Sequence, residues 1–150
     1  MLKVGEKAPD FEVRDDQDKP FHLSDLRGTT VVLYFYPKAD TPGCTKESCE
    51  FRDHAKEYKK KKAAVVGVSP DEPSAQAKFK SKYDLTFPLL ADADHRIAEA
   101  YGVWKEKSMY GKTYMGVART TFVIGPDGKI LHVFEKVKPE GHAEQVLAAL

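Results

Sequence analysis

The stretch VVLYFYPKADTPGCTKESC, Val31 to Cys49, decides how the rest of this chain is read. Val31 to Tyr36 is an unbroken run of β-branched, aliphatic and aromatic residues, the composition of a buried strand, and Pro37 ends it because proline has no N–H to give a sheet ladder. A helix is expected directly after it. Thr41 suits the N-cap, Pro42 suits the first helical position, and Cys44 falls about three residues in, where free backbone N–H groups and the positive end of the helix dipole favour an anion. A thiol held there is expected to be a thiolate.

The size of that effect decides what else is needed. A free cysteine with a pKa of about 8.5 is only a few per cent ionised at neutral pH, and helix N-termini with nearby cations lower the value to roughly 3.5–7.5. The gain in thiolate is at most roughly thirtyfold, and intrinsic nucleophilicity falls along with the pKa. Ionisation alone does not make an efficient catalyst, so a cation or hydroxyl aimed at the sulfur is expected elsewhere in the chain. Thr41 is the near candidate and Arg119 the distant one.

Working outward, Phe11 to Val13 and Phe21 to Leu23 flank the polar DDQDK and predict an N-terminal hairpin. The helix opened by Pro42 is expected to run to about Lys60, with Phe51, Ala55 and Tyr58 on one apolar face and Lys59 to Lys62 at its C-terminal end. Ala63 to Val68 reads as a second buried strand, Pro73 to Tyr83 as a helix, Leu89 to Ala91 as a short strand, and DHRIAEAYGV as a helix ending at Gly102. Trp104 to Gly116 reads as a long loop. Thr120 to Ile124 and Lys129 to Val137 flank the turn Gly125-Pro126-Asp127-Gly128, and a last amphipathic helix starts near Pro139. Strand and helix alternate in the first half, which implies parallel pairing by right-handed crossovers, while the closing hairpin adds antiparallel strands. The expected fold is α/β, a thioredoxin-like sandwich with a mixed central sheet flanked by helices.

Composition narrows the function. The 150 residues fit one domain, 1–150, and 24 Lys plus Arg against 23 Asp plus Glu give neither the basic excess of a nucleic-acid binder nor an acidic disordered chain. No apolar run is long enough for a membrane span, and MLKVGEKAPDF lacks the apolar core of a signal peptide, so the expected location is cytoplasmic. Two cysteines do not make a secreted disulfide framework. The five histidines are scattered without zinc spacing, and no dinucleotide or phosphate-loop glycine motif is present, so neither metal nor cofactor is expected.

With these elements placed, the chain resembles the peroxiredoxins, and among them the peroxiredoxin Q or bacterioferritin comigratory protein branch. The motif P-x-x-x-T-x-x-C is met by Pro37, Thr41 and Cys44, an arginine before a late strand by Arg119, and APDF, FPLLAD, YGV and GPDGK add context. A second cysteine five positions after the first points to this branch in particular. The resemblance implies a thiol-dependent peroxidase acting on hydrogen peroxide and organic hydroperoxides. Cys44 would be the peroxidatic cysteine, Thr41 and Arg119 would orient the peroxide, and Pro37 would cover the sulfur. Cys49 would resolve the sulfenic acid as an intramolecular disulfide, re-reduced by thioredoxin or a similar dithiol. Monomers are common in this branch, with edge strands and the Trp104 loop as surfaces for a dimer.

One consequence follows from helix geometry. Five residues along an ideal helix separate the Cα atoms by roughly 8.6 Å, beyond the ~7 Å a disulfide spans. The first turns are therefore expected to unwind after oxidation. Two other classes compete on the same fold: a thiol-disulfide oxidoreductase, disfavoured because C-x-x-x-x-C replaces C-x-x-C, and a redox-controlled chaperone or metal carrier.

Overall fold

Alternation along one central strand builds both halves of the core. The computed structural model describes all 150 residues. The chain runs β1 (Glu12–Asp15), β2 (Pro20–His22), a 3-10 turn (Leu23–Leu26), β3 (Thr30–Phe35), α1 (Pro42–Asp53), α2 (Ala55–Lys60), β4 (Ala63–Ser69), α3 (Pro73–Tyr83), β5 (Leu89–Ala91), α4 (Arg96–Ala100), β6 (Trp104–Met109), β7 (Lys112–Val117), β8 (Thr120–Ile124), β9 (Ile130–Phe134) and α5 (His142–Ala149). Along β3, Val31, Leu33 and Phe35 point to one side of the sheet and meet Ile97, Ala98 and Tyr101. Val32 and Tyr34, followed by Tyr36 just past the strand, point to the other side and meet Phe51, Tyr58, Phe79 and Val146. A strand buried on both faces carries no polar alternation, which is why VVLYFY reads as it does.

The seven-stranded sheet has the order β2-β1-β5-β4-β3-β8-β9. β3, β4 and β5 are parallel neighbours. β8 and β9 extend the sheet antiparallel on one side. The N-terminal hairpin extends it on the other, through β1 against β5. This is the thioredoxin-like α/β sandwich the sequence predicts. No helix is long and apolar enough to cross a membrane.

Several boundaries differ from expectation. The helix expected to continue to about Lys60 breaks at His54, whose ψ of 16° leaves the helical region. Beyond the break Tyr58 is again buried, and its hydroxyl donates to the Ala143 carbonyl, so packing against α5 rather than local propensity sets the course of α2. Trp104 to Gly116 is not a loop but largely a hairpin, β6 with β7, forming a separate two-stranded sheet. Its turn residues Tyr110 and Gly111 both take positive φ, of 52° and 78°, the geometry of a tight primed turn in which a tyrosine is uncommon. Most of the hairpin's side chains face solvent on both sides, so no hydrophobic alternation announces it. The last strand stops at Phe134 rather than Val137, and α5 begins at His142 instead of near Pro139, after Gly141 at φ 81°. The helix expected to end at Gly102 stops at Ala100.

Candidate active site

Sheet register brings the two distant parts of the site together. β3 runs antiparallel to β8 with Phe35 opposite Thr120, so the loop leaving β3 and the residue entering β8 emerge at the same edge. That loop opens α1 and carries Cys44; the residue is Arg119. Their side chains meet, with Arg119 Nη2 donating to Cys44 Sγ at 3.2 Å. Arg119 lies 75 residues from Cys44 in sequence.

On α1, Cys44, Glu47, Ser48 and Phe51 are the buried residues, the i, i+3, i+4, i+7 pattern of one helix face turned to the sheet. Cys44 is 1% exposed and is a free thiol. It sits in the helix's first turn, whose amides lack intrahelical partners. Glu47, one turn on and fully buried, accepts from Arg119 Nη1 at 2.7 Å. Arg119 is thus held on one side by the carboxyl and on the other faces the sulfur. Burial pushes the Glu47 carboxyl up to about 7, against the pull of Arg119, and its Oε2 has no hydrogen-bond partner. Burial works against the Arg119 charge, but Glu47 and the Cys44 sulfur outweigh it and hold the guanidinium above its ordinary value.

Thr41 occupies the N-cap position but does not cap α1 through its side chain. Its hydroxyl instead donates to the Lys38 carbonyl at 2.8 Å, within the loop. The expected cap is therefore replaced by a bond that commits the Thr41 proton and leaves the oxygen lone pairs as acceptors. Pro37 is partly buried, directly after Tyr36, whose N–H still donates to the Val68 carbonyl past the formal end of β3. Cys49 is a free thiol of intermediate exposure in the same unbroken helix as Cys44. Burial pushes the Cys49 thiol up, only partly offset by Arg52. The structure thus joins Cys44 and Arg119 directly, puts Thr41 and Pro37 in the loop that opens α1, and leaves Cys49 further along that helix.

Three groups escape the sequence reading. Glu47 has a sequence signal in its i+3 relation to Cys44, which puts it on the same face. Gly43 is a second: a Cβ there would sit 3.2 Å from Arg119 Nη2 and 3.4 Å from Pro139 Cγ, so the missing side chain makes room for the guanidinium. The third is a buried network that pins the loop. Tyr36 donates to Gln76 Oε1 at 2.7 Å, and Gln76 Nε2 donates to Ser69 Oγ at 2.8 Å. Ser69 in turn donates to Asp71 Oδ2 at 2.6 Å, which also receives the Ala39 N–H at 2.9 Å. No group of three or more His, Cys, Asp or Glu side chains converges to hold a metal.

A buried thiol at a helix mouth with a guanidinium donating to it, on a thioredoxin-like sheet, is the arrangement of a thiol-based enzyme. The AhpC/TSA family model matches residues 4–133. Peroxiredoxin Bcp of Bacillus subtilis is 45% identical over 149 residues, 99% of this chain and 95% of the relative. Among solved structures, peroxidoxin BcpB of Mycobacterium tuberculosis superposes with TM-score 0.89 at 44% identity, covering 99% and 96% of the two chains. The bacterioferritin comigratory protein of Xanthomonas campestris, described for its alkyl peroxide reduction activity, superposes with TM-score 0.91 at 37% identity, covering 99% and 95%. The chain belongs to the AhpC/TSA family and, within it, to the peroxiredoxin Q or Bcp branch, which makes it a thiol-dependent peroxidase.

Proposed function

We propose that Cys44 is the peroxidatic residue of a single-domain, cytoplasmic, monomeric peroxidase that reduces hydrogen peroxide and alkyl hydroperoxides. The Cys44 thiolate attacks the terminal peroxide oxygen. An S–O bond forms as the O–O bond breaks, the alkoxide or hydroxide leaves and takes a proton, and sulfur is oxidised to the sulfenic acid. Arg119 donates to the peroxide oxygens as charge moves onto the leaving one, and Thr41, its own proton committed to Lys38, accepts from the peroxide O–H. Pro37 limits access of a second peroxide to the sulfur.

Cys49 then attacks the sulfenic sulfur, releasing water and forming the Cys44–Cys49 disulfide. Both residues lie in one intact helix at a spacing too long for the bond, so the first turns of α1 unwind in each cycle. Thioredoxin or a similar dithiol restores both thiols and is itself oxidised to a disulfide. The observation that carries this reading is the 3.2 Å contact between Arg119 Nη2 and Cys44 Sγ. Its test is one equivalent of peroxide added to reduced protein, followed by intact mass and thiol counting. Loss of both thiols together is expected in the parent, and none in Cys44→Ser; a Cys44→Ser variant that consumed peroxide at the parental rate would overturn it.

A further inference from the structure

We propose that the buried hydrogen bond between Tyr34 and Ser48 is a latch that holds α1 closed, so that these two side chains set how fast Cys49 reaches the oxidised Cys44. The inference rests on Cys49 being the resolving thiol. Ser48 lies between the two cysteines in sequence, inside the segment that has to unwind. It is fully buried, and its Oγ is 2.7 Å from the Tyr34 hydroxyl.

Tyr34 is a rigid anchor for that bond. It sits mid-strand on β3, paired with Gly67 on one side and Thr121 on the other. A Cβ on Gly67 would lie 2.9 Å from Tyr34 Cζ and 3.0 Å from its hydroxyl, so the ring reaches toward α1 only because residue 67 is glycine. The ring also stacks on Phe51, with centroids 4.7 Å apart. Tyr34 therefore grips α1 twice, once through an apolar stack near its C-terminal end and once through a polar bond between the cysteines. The stack alone would tolerate a rearranged first turn; the hydroxyl bond binds the part that moves.

The two halves of the latch are not equivalent. Ser48→Ala leaves the Tyr34 hydroxyl buried without a partner for as long as α1 stays helical, and unwinding relieves this by admitting water, so the variant favours the unwound form. Tyr34→Phe frees the Ser48 hydroxyl, which has an alternative acceptor in the carbonyl four residues back, that of Cys44, so its effect is smaller. In both variants the contacts of Arg119 with Cys44 and Glu47 are untouched.

The test is a single-turnover experiment. Reduced parent, S48A and Y34F receive one equivalent of hydrogen peroxide, are quenched at intervals with a thiol-alkylating reagent, and are weighed intact. The peroxide step is expected to stay within about twofold of the parent, while disulfide formation is faster by on the order of tenfold in S48A and by less in Y34F. Under excess peroxide the fraction over-oxidised per turnover drops in the same order. Amide exchange in reduced S48A rises within residues 41–52 and not across the central strands. A parent that forms no Cys44–Cys49 disulfide removes the resolving assignment, and the latch with it. A parent that forms it, with S48A no faster, removes the latch alone. A uniform rise in exchange across the sheet also overturns it, because that marks a general loss of stability.

Discussion

Arg119 Nη1 lies 2.7 Å from Glu47 Oε1, and the other end of the same guanidinium lies 3.2 Å from Cys44 Sγ. One planar group therefore bridges a buried carboxyl and a buried sulfur, and its orientation at the sulfur is set from behind. Removing the carboxyl releases that orientation and leaves a largely buried cation with only the sulfur as its side-chain partner. Glu47→Ala is expected to lower kcat/KM for hydrogen peroxide by about ten- to a hundredfold, and Glu47→Gln, which keeps one acceptor, by less. Stopped-flow peroxide kinetics checks the order.

Bridging two groups requires a fork. Arg119→Lys keeps the charge but offers one ammonium in place of two separated donors, so it cannot serve Glu47 and the reacting centre together. Arg119→Lys is expected to lose about a hundredfold in kcat/KM and Arg119→Met about a thousandfold, with the fold retained by circular dichroism.

Glu47 also makes stability depend on pH. Its folded value of about 7 lies above the ordinary 4.5, so between those limits the folded state holds a proton that the unfolded chain has released. Stability then falls as pH rises through this window and levels off above it, by about 3 kcal/mol in total. Urea denaturation of the parent and of Glu47→Gln at pH 5, 6, 7 and 8 is expected to give a steeper decline for the parent, and equal slopes would refute the assignment.

Gly43 is small for a reason of space, since its φ is not in the left-handed region. In Gly43→Ala the new methyl meets Arg119 Nη2 at 3.2 Å, and the guanidinium must shift by a few tenths of an ångström. We expect a fivefold to tenfold loss of peroxidase activity, about 1 kcal/mol or slightly more in transition-state stabilisation, with the melting temperature nearly unchanged.

Cys49→Ser removes the thiol proposed to resolve the sulfenic acid and leaves Cys44, the proposed site of peroxide attack, in place. The first turnover is expected at the parental rate, with the Cys44 sulfenic acid accumulating and advancing to the sulfinic acid under excess peroxide. Intact mass follows each addition of oxygen. In the parent, amide exchange over Thr41 to Arg52 is expected to be faster in the disulfide form than in the dithiol form.

Local signals carry most of the fold and half of the site. The β3 strand, the start of α1, the helix over Pro73–Tyr83 and the strands over Leu89–Ala91 and Thr120–Ile124 are legible because composition and turn residues act within a few positions. Pro37, Thr41 and Cys44 share one loop and one helix start, so a short motif contains them. Arg119 is legible only through the family pattern, since a single arginine before a strand has no chemistry of its own. Glu47 and Gln76 are hidden because a polar residue on a charged helix reads as solvent-facing, and only the three-dimensional packing turns these two inward. The β6–β7 hairpin is hidden for the opposite reason: outside the main sheet, it has little core face to impose alternation.

The pairing of Phe35 with Thr120 has a consequence for synthesis. Cys44 leaves the ribosome 75 residues before Arg119, so for that interval the nascent chain carries a thiol without the cation that meets it in the folded protein. Only when β8 docks against β3 can the guanidinium reach the sulfur. Translation therefore delivers an unarmed sulfur first and arms it late, after most of the sheet has been made.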